Sequence, residues 1–508
     1  MKFFKLLFSR AFLTILAFLA QLGLIVAVIW LFKEWYALFQ AVSLIVGIIA
    51  FFSLVNKKEP TEYKLAWAVV LFVLPVVGTV FYLLYSGPKL KKKDAAMLDK
   101  FYKDTVKLLP SDSMTEEKDG ADYSDYMGIS KYLFNTSGVT GAYGNRAEFL
   151  PSGEAFFADL KEELKKAKKF VFIQFFIIHN GKMWGEIKEI LLKKLREGVE
   201  VRIMYDDLGS FGNPPDFKRK LKKQGFNCVM FNPLGPTASG KYNNRDHRKV
   251  VVIDGVTAFT GGANLSDEYI NEKQRFGKWK DSAIKIKGSA VKVFTMNFLF
   301  LFDVSSGRKS EYINFLGVKS PKFTDAGYVQ PFFDGPKPLY EEAIAENNFL
   351  NLIGMAKQKL YITTPYLIPD YSLILAIRNA ALRGVDVRII TPHIPDKKLI
   401  FSVTRSNYKF LTEAGVKIYE YTPGFIHSKQ LLVDDKAAFV GTVNLDYRSL
   451  VHHFECGVNL YNVDCIKDIA KDFEEVVSES ELVDPKKIKR GLITRIITSF
   501  MNLFQPML

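Results

Sequence analysis

Residues 247–254 read HRKVVVID, and the same plan returns at 427–434 as HSKQLLVD. Each is followed at the same interval by a short glycine-bearing turn ending in asparagine, GGAN at 261–264 and GTVN at 441–444. Both copies fit H-x-K-x4-D-x6-G-[GT]-x-N. The repeat extends outward on the N-terminal side. AKKFVFIQFFII at 167–178 and AKQKLYITTPYLI at 356–368 are both buried-strand runs. Each leads into a helix-like stretch, closing with LREGVEVRIMY in the first copy and LRGVDVRII in the second. Gly198 and Gly384 stand in the helix-to-strand turns. Strand, helix and strand alternate twice, which predicts an α/β fold with a largely parallel sheet in each half.

The spacing carries chemistry as well as fold. A histidine and a lysine two residues apart on a strand share a face, so His247 with Lys249 and His427 with Lys429 form two matching pairs. Asp254 and Asp434 fall where the strand ends and can tie down the turn, while Asn264 and Asn444 offer amide donors. Two such half-sites facing each other supply two imidazoles, two ammonium groups and two amides. The lysines would hold charge on non-bridging phosphate oxygens without a metal. The histidines would divide the work on a phosphodiester, one attacking phosphorus and the other protonating the leaving oxygen. The attacking ring must be a free base oriented through its other nitrogen. The candidates are Asp281, 34 residues after His247, and Glu455, 28 residues after His427, each pairing with the histidine of its own copy.

Charge placement narrows the partner. Of the formal net charge of +15, residues 1–93 carry +8 and residues 486–508 carry +5, leaving +2 on 94–485. A nucleic-acid binder needs its positive field on the folded body, so no nucleic-acid partner is expected. Three cysteines, Cys228, Cys456 and Cys465, are too scattered for a disulfide framework or a thiolate zinc site. Uncharged runs at 11–32, 36–55 and 65–85 each match the length of a spanning helix and predict a membrane region over 1–93. Basic residues divide six to five between the two sides, which leaves orientation open. The polar, acidic stretch around 111–128 predicts a linker over 94–135, followed by halves at 136–305 and 306–485. In the basic tail, 486–508, Ile488, Leu492, Ile496 and Phe500 recur at near-helical spacing; it either lies on the bilayer surface or caps the second half. His179, His393, His452 and His453 are read as structural or surface residues, and Asp206–Asp207 as strand-end turn chemistry.

On NNRDHRKVVVIDG, GGANLSDEY, IHSKQLLVDD, GTVNLDYRSL and the apolar LAWAVVLFVLPVVGTVFYLLYSGP, the chain resembles the phospholipase D superfamily, whose HKD motif it reproduces twice. Within it the chain is most similar to bacterial cardiolipin synthases. That resemblance implies two duplicated phospholipase D-like α/β domains around one shared active site, behind transmembrane helices in the bacterial cell membrane. It implies the joining of two phosphatidylglycerols into cardiolipin with release of glycerol, through a phosphatidyl-histidine and with no metal or cofactor. His247 would be the nucleophile and His427 the acid/base, a pairing that near-symmetry allows to be reversed, with Lys249, Asp254, Lys429 and Asp434 completing the catalytic set. Ser449 looks like a further phosphate ligand. Asp246 stands where similar enzymes often have asparagine. A membrane hydrolase using the same histidines and a phospholipase D-type nuclease are the enzymatic alternatives; a membrane scaffold with a degenerate site is the non-enzymatic one.

Overall fold

The structure is a computed structural model that describes residues 36–57, 59–73, 113–118, 120–233, 243–337, 339–484 and 491–505, with scattered positions elsewhere. Two mixed sheets organise the body, and their strand orders repeat. The first runs Arg146–Leu150, Ala283–Lys287, Thr257–Gly261, Lys249–Ile253, Phe170–Phe175, Glu200–Asp206, Asn227–Phe231. The second repeats that order as Tyr328–Asp334, Glu455–Tyr461, Ala437–Gly441, Gln430–Val433, Lys359–Thr363, Asp386–Pro392, Lys417–Tyr421. It adds an edge strand at each end, Ala142–Tyr143 and Ser480–Leu482.

Alternation along the strands sorts side chains between layers. Val171, Ile173 and Phe175 join Val201, Ile203 and Tyr205 beneath outer helices Gly153–Lys165 and Lys182–Arg196. Leu360, Ile362, Val387 and Ile389 do the same beneath Ile344–Met355, Tyr371–Leu382 and Lys398–Thr412. The opposite faces, with Phe172, Val252 and Ile284 from one sheet and Leu432, Val440 and Val458 from the other, share one central core. Helices Val291–Ser306 and Ile466–Ser478 contribute to it. The first of these is apolar almost all round and buried on nearly every face, as a helix between two sheets must be. The result is helices, sheet, helices, sheet, helices, with the two halves sharing an interior.

Three expectations change. The sheets are mixed rather than largely parallel. Only the three strands that alternate with helices run parallel; the strands bearing the repeated motif pair antiparallel with the first of them and turn through tight hairpins into the next antiparallel strand. The predicted linker is partly core: Met114, Tyr123 and Tyr126 are buried in the second half's outer layer, and Ser124–Ser137 is a helix packed there. Its apolar residues were hidden among acidic ones. The three spanning helices are not supported, because among the described residues no helix is long and apolar enough to cross a membrane. The run at 11–32 lies outside the described residues apart from isolated positions. The second forms Tyr36–Val55, and the third is described continuously only to Val73, in helix Thr61–Val73. These two helices pack through Ala50, Leu54, Trp67 and Leu71 while Ile45, Ile49, Phe52 and Phe72 stay exposed. The tail forms helix Leu492–Phe504, packed on Lys398–Thr412 and on Thr61–Val73.

Candidate active site

The two motif strands end at one cavity of about 550 Å³, lined by both His247 and His427. Short cross-half pairings bring them there. Lys278–Lys280 of the first half pairs parallel with Gly424–Ile426 of the second, and the His427 amide donates to the Lys280 carbonyl at 2.7 Å. Reciprocally, Asp246 bridges Phe454, and the His247 amide donates to the Phe454 carbonyl at 3.0 Å. The residue after each partner segment is a buried carboxylate, so each histidine meets the carboxylate of the opposite half. His247 Nδ1 lies 2.8 Å from Glu455 Oε1, and His427 Nδ1 lies 2.7 Å from Asp281 Oδ2. Both carboxylates were singled out in the sequence, but each orients the other copy's histidine. With a carboxylate as acceptor, the ring proton belongs on Nδ1 and the Nε2 lone pair is free.

The halves differ in how they seat these acids. A Cβ on Gly262 would overlap Asp281 Oδ1 and the His427 carbonyl, so glycine is required by the close approach. The equivalent Thr442 instead donates its hydroxyl to Glu455 Oε2. Lys249 and Lys429 are fully buried, and each donates to the carbonyl of its own histidine. Burial pushes the Lys249 ammonium down to about 8 and Lys429 down to about 7; the second lysine's charge adds to the effect on Lys429. Burial and the lysines together hold His247 well below its ordinary value. Burial and Lys429 push His427 down to about 4 despite Asp281 beside it. Burial raises the Asp281 carboxyl, but His427 and Lys429 outweigh it and leave the group lowered, hence ionised. The cavity thus gathers groups whose positive forms repel one another, and an anionic phosphodiester would relieve that repulsion.

The remaining predicted residues fall in two places. Asn264 and Asn444 line the cavity, and both side-chain NH2 groups are already engaged, while among the described residues nothing donates to Asn444 Oδ1. Asn264 donates to the Tyr269 hydroxyl at 2.7 Å and accepts from the Ile177 amide at 3.0 Å, whereas Asn444 donates to Asp446 at 3.0 Å. Ser449 does not line the cavity; its hydroxyl is buried, and among the described residues it has no hydrogen-bond partner. Asp254 and Asp434, grouped in the sequence with the catalytic set, lie at the far ends of their strands, on the order of 20 Å along the chain from the histidines. Asp254 accepts from the amides of Lys168, Lys169 and Phe170 at 2.7–2.9 Å, and Asp434 accepts from Lys357, Gln358 and Lys359 at 2.8–2.9 Å. Both adopt positive φ, 53° and 51°. They pin a turn. Asp254→Ala should therefore cost about 2–3 kcal/mol of stability, read as a lowered Tm, while folded protein keeps its specific activity. Lost activity at unchanged Tm would put Asp254 in the chemistry.

Other residues escaped the sequence reading. His453 lines the same cavity, with its ring centroid 5.3 Å from that of His247 and its Nδ1 3.6 Å from Glu455 Oε1. Burial pushes it down to about 3. His247, His453 and Glu455 bring their ligand atoms within 4.8 Å of one another, the one such cluster among the described residues. A cation there would compete for the Nδ1 position that orients His247. Arg245 and Arg448 also line the cavity, and Arg448 Nε is buried with no hydrogen-bond partner among the described residues. Arg248, between the first motif's histidine and lysine, donates to the carbonyls of Glu455 and Asp334 across the seam. Basic residues flanking each motif were the available signal. Asp246 is buried, accepts from Gln174 at 2.7 Å, and is pushed up by burial to about 7. Asp206 caps the turn through Leu208 and Gly209, as its strand-end position predicts.

Residues 160–286 and 349–477 match the family model of the cardiolipin synthase PLD-like domain, and residues 45–86 match that of the phospholipase D-nuclease N-terminal region. The chain is 32% identical over 487 residues to a cardiolipin synthase of Halalkalibacterium halodurans, covering 94% of this chain and 95% of that one. It is 33% identical over 480 residues to cardiolipin synthase 2 of Bacillus anthracis, covering 92% and 91%. A Streptococcus mutans protein described as uncharacterized is 39% identical over 458 residues, covering 90% and 98%. Among solved structures, phosphatidylserine synthase of Haemophilus influenzae superposes with a TM-score of 0.58 at 17% identity, covering 75% of this chain and 99% of that one, a likeness of fold.

Proposed function

Because the chain belongs to the cardiolipin synthase family of phospholipase D-like proteins, we propose that it joins two phosphatidylglycerols into cardiolipin and releases glycerol, using His247 and His427 in turn. In the first step His247 Nε2 attacks phosphorus. The bond to the glycerol head group breaks, and protonated His427 supplies the proton to the departing oxygen. In the second, neutral His427 takes the proton from the head-group hydroxyl of another phosphatidylglycerol. That oxygen displaces the imidazole, giving cardiolipin and restoring His247. Lys249 and Lys429, buried behind the two rings, supply positive charge for the phosphoryl oxygens.

The observation that carries this reading is that both imidazoles line one cavity with their Nδ1 atoms tied to buried carboxylates, leaving two Nε2 atoms for one phosphorus. The depressed His247 supports its role as the free-base nucleophile, and ionised Asp281 supports a His427 that gains a proton once the anion binds. The same reading places the chain at a membrane. The exposed apolar residues of Tyr36–Val55 and Thr61–Val73, and Leu492, Ile493, Ile496 and Phe500 on the tail helix, supply surfaces for lipid contact.

Purified full-length protein in detergent, given phosphatidylglycerol alone, should yield cardiolipin and glycerol in equal amounts. Phosphatidic acid and glycerol in their place would identify a hydrolase, with water taking the second displacement.

A further inference from the structure

A second cavity, of about 310 Å³, opens beside the catalytic one, between helices Lys398–Thr412 and Leu492–Phe504. Tyr366, Lys397, Asp446 and Arg448 line both cavities, so the two adjoin at a polar border that serves as the mouth of the second. Beyond that mouth the character changes. Ile368, Ile400 and Val403 form one side and Met501 of the tail helix the other. The helix is fastened at its end, where Gln505 donates to the carbonyls of Ile368 and Pro369 at 2.8 and 3.1 Å. Its opposite face carries Leu492, Ile493, Ile496 and Phe500 exposed, and Leu399 is exposed at the start of the facing helix.

We propose that this cavity takes an acyl chain of the phosphatidyl group held at the histidines, with helix Leu492–Phe504 as its wall on the lipid side. The proposal rests on the phosphatidyl-transfer reading. The order of chemistry along the path is the order within the lipid: imidazoles for phosphorus, then Lys397 and the unpartnered Arg448 Nε at the mouth, then apolar walls. Asp446, the anion at the mouth, is already engaged by Asn444 and by the Ser449 amide. At about 30 Å³ per water-sized unit, the space holds on the order of ten methylenes, so part of a chain would lie inside and the rest would continue along the tail helix.

The test compares dioleoyl- with dihexanoyl-phosphatidylglycerol on the full-length protein. Val403→Trp and Met501→Trp fill the cavity, and the long-to-short ratio of kcat/KM should fall about tenfold. An unchanged ratio overturns the proposal. Independently of how these variants fold, wild-type protein photolabelled with phosphatidylglycerol bearing a mid-chain diazirine should be modified on the peptides containing Ile400, Val403 or Met501. Labelling confined to other peptides overturns it. Wild-type protein that labels at these peptides yet turns over neither lipid would sink the transferase reading while leaving the acyl site standing.

Discussion

His247→Ala and His427→Ala should each lower phosphatidylglycerol turnover by about 10⁴-fold or more, and the two should then part company on an activated substrate. Glycerol leaves poorly and needs a proton, whereas p-nitrophenolate leaves without one. A phosphatidyl p-nitrophenyl ester should therefore release nitrophenol in a burst from the His427 variant and trap labelled lipid on the protein. The His247 variant, lacking its attacking nitrogen, should do neither. Both rings open on the same 550 Å³ cavity with Nδ1 committed to a carboxylate, so the difference between them lies in which Nε2 reaches phosphorus first. The reverse pattern would exchange the two roles. Normal rates in either variant would end the two-histidine mechanism.

Glu455→Gln and Asp281→Asn should each cost about 10²–10⁴-fold in kcat, and their phenotypes should cross between the halves. An amide at either position no longer fixes the Nδ1–H tautomer and removes the charge that stabilises the imidazolium. Glu455 faces His247 at 2.8 Å, so Glu455→Gln should behave as a nucleophile defect, with little trapped lipid on either substrate. Asp281 faces His427 at 2.7 Å, so Asp281→Asn should behave as an acid defect, rescued by the nitrophenyl ester. Pairing within each copy forecasts the opposite assignment. Trapped lipid from Glu455→Gln at wild-type level would refute the crossed arrangement.

That arrangement marks the boundary of what the sequence discloses. The duplicated strand–helix–strand pattern and the two motifs disclose two similar α/β halves, because local periodicity and repeat spacing are properties of each copy alone, whereas the strand order depends on long-range pairing. Asp281 and Glu455 were recognisable as carboxylates at equivalent places, each just before a strand-like run. Their partners were not, since the decisive pairings, Lys278–Lys280 with Gly424–Ile426 and Asp246 with Phe454, join residues far apart in the chain. The mixed character of the sheets went unread for a related reason. The apolar strands VVVI and QLLV look alike whether their neighbours run parallel or antiparallel. His453 was passed over by the rule that adjacent strand residues point apart, but His452 ends a π-helical turn and His453 follows it, so strand alternation does not govern them. The aspartates of the motif show the converse. Their turn-pinning role follows from position at a strand end, although the family resemblance had grouped them with the reacting residues.

Since each imidazole borrows its proton acceptor from across the seam, neither copy is a self-sufficient enzyme. A one-copy ancestor would have worked only as a two-fold homodimer. After fusion, a lesion in either copy damages the other copy's chemistry too. Natural selection therefore acts on the pair as a single hereditary unit. The copies are free to diverge in what they grip, as Gly262 and Thr442 already have, but not to part into separate genes with separate trades.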